Sequence, residues 1–178
     1  MRKDVTEAEV IVYFAANYDD IEGMSGLTGD LMACISYQGC NPLDNCTLET
    51  YRPYTATISE IFKEMLALRD GKPTIIRAMN FYNPYISGHA RCGVEMETGC
   101  THCWTTFNDS IRLAAEANNI PLVSVYDWFN GVNHDEDPRE KEYIGAYGFF
   151  PSKEGAMAIA NRLEKQDMNL LSYLRCIS

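Results

Sequence analysis

No apolar run in the 178 residues reaches the ~18 needed to cross a bilayer as a helix, so a membrane span is not expected. Basic residues are scarce, at 15 against 25 acidic, which leaves a net charge of -10. A surface of that sign repels phosphate backbones and anionic lipid headgroups, which argues against nucleic-acid and membrane-surface partners. Internal repeats and low-complexity linkers are also missing, and histidine occurs only three times. No leader is visible, because Met1-Arg2-Lys3-Asp4 runs straight into polar sequence containing Glu7 and Glu9. A secreted form would need a signal lying upstream of Met1.

The chain is rich in two things. Hydrophobic residues make up 46% and aromatic residues 11%, enough to build a packed core and to exclude disorder. Cysteine is the other, with seven residues: Cys34, Cys40, Cys46, Cys92, Cys100, Cys103 and Cys176. Such a load is common where disulfides persist, so an extracellular or cell-surface location is expected. The odd count leaves at least one thiol free, intermolecular or metal-bound.

Val10 to Ala16 is a continuous apolar run that reads as a strand buried on both faces. Residues 23–46 read as a long loop, rich in Gly, Ser, Asn and Cys. From about Thr47 to Arg69, Ile58, Ile61, Phe62, Met65 and Leu66 recur at helical spacing, and Asp70-Gly71 closes the helix. Pro73 to Met79 is a second buried strand, followed by a loop over 80–99 and a helix from Trp104 to Asn118 broken by Asn119. Pro121 to Tyr126 is a third strand. Residues 130–150 are acidic and turn-rich. Ser152 then caps a helix to Glu164, with Gly155 in its first turn. The tail over 167–178 carries Met168, Leu170, Leu171, Tyr173 and Leu174 as a short amphipathic helix. Alternating strands and helices spell an α/β domain over residues 1–166 with a parallel sheet, plus this C-terminal tail.

Four segments, in order, resemble the SGNH/GDSL-type hydrolase family. Ala15-Ala16-Asn17-Tyr18-Asp19 is similar to a family strand ending in Gly-x-Asn-Asp. Gly71 to Ile76 with Asn83-Pro84-Tyr85 is similar to its next strand and loop, and Asn119 to Tyr126 to its last strand. Tyr143 to Gly155 resembles the block Asp-Gly-x-His-Pro-Ser-x-x-Gly, and Ala156 to Leu163 the helix after it. The resemblance implies a three-layer, flavodoxin-like fold with five parallel strands, of which the N-terminal ones are absent from this chain. It also implies serine ester hydrolysis, which needs a Ser nucleophile, a His base, an Asp to orient it and oxyanion donors.

This sequence departs from that set. Gly29-Asp30-Leu31 lacks the serine of a Gly-Asp-Ser block, Tyr147 stands at the family Asp and Phe150 at the family His. A phenyl ring accepts no proton. Only Asn17 persists, as an oxyanion-hole candidate. The expectation is therefore a non-catalytic SGNH-like domain serving outside the cell as a structural, binding or assembly module. The alternative is part of a serine esterase whose nucleophile block lies on an N-terminal segment. With the preceding strands gone, residues 10–16 form an uncovered edge through which a protein partner, or a second copy, would pair.

Four further groups of residues could carry chemistry or binding. His89, Cys92, Cys100 and Cys103 have zinc-ligand spacing, but in an oxidising compartment a disulfide is favoured, as it is for Cys40 and Cys46. Asn133 to Asp137 lacks the ligand spacing of a calcium loop and reads as a solvated acidic loop. Neither His102 nor His134 stands where the family places its base. Loop tyrosines (Tyr37, Tyr82, Tyr85, Tyr143, Tyr147) either line a sugar- or protein-binding surface or cap the core. No cofactor and no metal is implied.

Overall fold

In the computed structural model of the protein, residues 2–14, 47–49, 51–84, 86, 94–145 and 150–175 are described; the side chains of 94–103 and 166–175 are not. Three parallel strands form one sheet in the order β1 (Val10–Phe14), β2 (Ile75–Met79), β3 (Leu122–Val123). Val12 lies opposite Arg77 and Phe14 opposite Met79, while Met79 lies opposite Val123. The α/β reading with a parallel sheet holds.

The first strand is not buried on both faces. Ile11 and Tyr13 pack inward, whereas Val10, Val12 and Phe14 are 53%, 40% and 37% exposed. The cause is position: among the described residues β1 pairs with β2 alone, so it is an edge strand.

A short helix, α1 (Arg2–Glu7), precedes the sheet, and its Thr6 carbonyl is held by the buried Arg69 guanidinium at 2.5 Å. The helix α2 (Arg52–Leu68) starts at the proline of Arg52-Pro53, whose missing N–H costs nothing in a first turn. Tyr54, Ile58 and Phe62, four residues apart, give it one buried stripe. Tyr13 meets Phe62 edge-to-face at 5.2 Å, fixing α2 against the sheet.

The helix α3 (Val94–Ala117) begins ten residues before the expected Trp104. Glu95, Met96 and Glu97 are good helix formers, and acidic groups suit a helix N-terminus. Its buried stripe, Trp104, Phe107, Ile111 and Ala114–Ala115, packs on α2 and on the sheet; Tyr54 stacks on Phe107 at 5.0 Å. The helix stops where expected. Asn119 turns left-handed (φ 54), Asn119 N–H donates to Glu116 O at 3.1 Å and Ile120 N–H to Ala115 O at 2.9 Å, the two bonds of a Schellman cap.

The third strand is shorter than its apolar run. Ser124 leaves the sheet and its Oγ accepts the Asp127 N–H at 3.3 Å, starting α4 (Val125–Asn130) where strand was expected through Tyr126. Ser-Val-Tyr-Asp is a helix-start pattern, and its cap outcompetes the apolar alternation. The last helix, α5 (Lys153–Arg175), has the expected cap, Gly155 N–H to Ser152 Oγ at 3.0 Å, and continues without a break into what reads as a separate tail helix. Among the described residues no helix is long and apolar enough to cross a membrane.

Candidate functional site

Parallel α/β sheets present their ligand sites beyond the carboxyl ends of the strands. Two side-chain amides organise that end here. Asn108 of α3 forms a two-point clamp on Phe81: its Oδ1 accepts from Phe81 N–H at 2.9 Å and its Nδ2 donates to Phe81 O at 2.8 Å. Asn130, closing α4, grips Asn83 in the same way at 2.8 Å each, and gives a third bond to Glu136 O at 3.1 Å. Buried backbone that has left the sheet is thereby satisfied by side chains.

Aromatic rings fill the space between these clamps. Phe81 stacks on Trp104 at 5.3 Å and on Tyr82 at 4.9 Å; Tyr82 stacks on Phe129 at 4.5 Å. Tyr82 and Tyr143 therefore belong to the core rather than to an open binding face. Burial pushes the Tyr82 phenol well above its ordinary value, with the Arg139 charge opposing.

Beside the clamps a half-enclosed cleft of about 170 Å³ opens between the ends of β2 and β3 and the outer side of α3. Asn80 floors it, donating to Ser124 Oγ at 3.1 Å and accepting from Tyr126 N–H at 2.9 Å. Thr105, Asn108, Asp109 and Arg112 supply the α3 wall; Leu122, Tyr126, Asp127 and His134 supply the other. His134 is fixed three ways. Its backbone is left-handed (φ 60) with N–H bonded to Gly131 O at 3.0 Å, its ring stacks on Tyr126 at 3.8 Å, and its Nε2 meets Asp127 Oδ1 at 2.8 Å. Burial raises the Tyr126 phenol to about 12; Thr105 beside it opposes the rise, though among the described residues no partner meets Tyr126 Oη at hydrogen-bonding geometry.

Among the described residues, no family-derived position lines this cleft. Asn17 and Tyr147 lie outside the described residues. Phe150 is described and is 81% exposed, next to the bridge between Ile144 and Pro151. His89, Cys92, Cys40 and Cys46 also lie outside them, and Cys100, His102 and Cys103 sit on α3 with side chains not described. Among the described residues no group of three His, Cys, Asp or Glu is placed to hold a metal.

The acidic loop is not simply solvated. Asp137 is buried, its Oδ1 accepting from Arg139 N–H at 2.9 Å; Glu136 pairs with Lys141, and Asp127 with His134. Arg139 and Lys141, within the same segment, face the carboxylates of Asp137 and Glu136. The cleft itself escapes sequence reading because its residues come from four separate segments. The one local signal was the Ser124–Asp127 cap, which places both side chains at the strand end. Comparison with protein-family models, curated proteins and solved structures finds no match to this chain.

Proposed function

We propose that this chain is a non-catalytic, SGNH-like α/β module acting outside the cell as an assembly unit, completed along the open edge of β1. The edge position of β1 carries the reading. The family resemblance puts a further parallel strand beside this one, and the sequential order β1-β2-β3 is what the later strands of such a sheet would show. A five-residue apolar edge with Val10, Val12 and Phe14 exposed, and no lysine or proline within it, is a template for another strand. The three-layer SGNH arrangement and the seven cysteines belong to the same proposal. Chemistry supports the loss of catalysis: Phe150 offers no basic atom and stands in solvent.

The partner available to the isolated protein is a second copy. Light scattering at micromolar concentration should therefore give a species above the 20.1 kDa monomer, and Val12→Lys should return it to monomer. A monodisperse monomer of the unmodified chain overturns the assembly reading. Turnover of an acetyl or butyryl ester, abolished by a serine-directed inhibitor, overturns the non-catalytic one.

A further inference from the structure

We propose that the cleft at the carboxyl ends of β2 and β3 binds a small neutral ligand with adjacent hydroxyl groups, of the size of one sugar ring. The inference is independent of the β1 edge.

Several polar atoms of the cleft remain unspent. Both ends of the Asn80 and Asn108 amides are used within the protein. Ser124 Oγ accepts two N–H bonds, so its own proton is still to give. Arg112 spends Nε on Asp109 and Nη1 on Glu116, leaving Nη2. Asp109 and Asp127 each engage one carboxylate oxygen and keep the other. The cleft thus offers free donors and free acceptors side by side. A hydroxyl both gives and accepts, so a pair of neighbouring hydroxyls can use such a mixture, which a pure donor or pure acceptor cannot.

Charge and size narrow the class. Each charged group in the cleft already faces an opposite or imidazole partner: Arg112 with Asp109 and Glu116, Asp127 with His134. An ionic ligand would add a charge beside groups that are already paired, and an anion would also meet the overall charge of -10. Leu122 and the Tyr126 ring add an apolar wall. About 170 Å³ is below the roughly 300–1,000 Å³ of drug-sized sites, so a single ring is the appropriate scale. His134 is already held by its stack, its carboxylate and its backbone, so ligand binding orders little further.

The test is a ligand-observed NMR titration of the whole chain with glucose, galactose and xylose, alongside acetate and 1,4-diaminobutane. A saturable neutral sugar with Kd on the order of 1 mM is expected, the affinity that so small a ligand supports. Arg112 is 42% exposed, so Arg112→Met should fold normally and weaken binding about tenfold, the loss of one good hydrogen bond to a charged group. Asp109→Asn, which keeps size and removes charge, should weaken it less. No saturation by any of the three sugars, tighter binding of acetate or the diamine, or undiminished sugar binding by Arg112→Met would each overturn the proposal.

Discussion

Replacing Asn130 with alanine should cost this protein a large part of its stability although no apolar core contact is the target. The side chain is fully buried and makes three hydrogen bonds, two to Asn83 and one to Glu136 O. Each buried backbone group that loses its bond costs about 1–3 kcal/mol, and the two Asn83 bonds are both buried. Together with the part-buried Glu136 bond, a loss of about 4 kcal/mol is expected, against the ~5–15 kcal/mol that a domain has in total. Urea unfolding followed by the fluorescence of Trp104 and Trp128 reads this directly. With a slope of about 2 kcal/mol per molar, the midpoint should fall by about 2 M. Asn130→Asp separates bonding from volume: it keeps an acceptor for Asn83 N–H, loses both donated bonds and buries a carboxyl, so it should be no more stable than the alanine variant. Asn133→Ala on the exposed loop should stay within ~0.5 kcal/mol of the parent. A fall of less than ~0.5 M for Asn130→Ala, or an aspartate variant as stable as the parent, would refute the clamp argument.

Gly155→Ala should destabilise more than a helix glycine normally allows, because an added Cβ would lie 2.9 Å from the Tyr143 carbonyl carbon and closer still to its oxygen. That carbonyl is anchored by Ser152 N–H at 2.8 Å, so a melting temperature equal to or above the parent's would contradict the geometry. At alkaline pH the raised phenols set a window. Folding favours the protonated Tyr126, so its contribution is present below about pH 10, where the unfolded phenol titrates, and is lost as pH rises toward 12. Tyr126→Phe should flatten this loss and, by removing a buried hydroxyl with no partner, should not lower stability at neutral pH; chemical denaturation across the alkaline range measures both. The exposed Phe150→Ala should leave the melting temperature unchanged, and a drop of several degrees would place that ring in a packed environment.

What could be read in the sequence followed from strong local signals. The β1 and β2 runs, the Tyr54–Ile58–Phe62 stripe, the Asn119 stop and the Ser152 cap each have one dominant physical cause. Sequence and structure part where two causes compete. Val-Ser-Val-Tyr alternates like a strand, but the Ser124 and Asp127 pairing caps a helix at lower cost. The six-residue α1 carries no apolar stripe, and is held instead by contact with α2 and by Arg69 reaching Thr6 O. Val10 to Phe14 has the composition of a central strand; the family resemblance puts it at an edge, and among the described residues it pairs with β2 alone. The cleft was the least legible. His134 and Asp127 are seven residues apart in an acidic stretch, and Arg112 reads as an ordinary helix-surface cation. Their convergence depends on where α3 and α4 leave the sheet.

The two asparagine clamps carry a dynamic signature. Segments without regular structure normally exchange their amide protons with solvent quickly, because nothing has to open first. The amides of Phe81 and Asn83 sit in such a segment, yet each is shielded by a side chain rooted in a helix. Their protons escape only when α3 or α4 detaches from the sheet end. In deuterated water these two positions should therefore decay as slowly as the amides of β2, making them reporters, within a stretch of irregular backbone, of the most global opening of the fold.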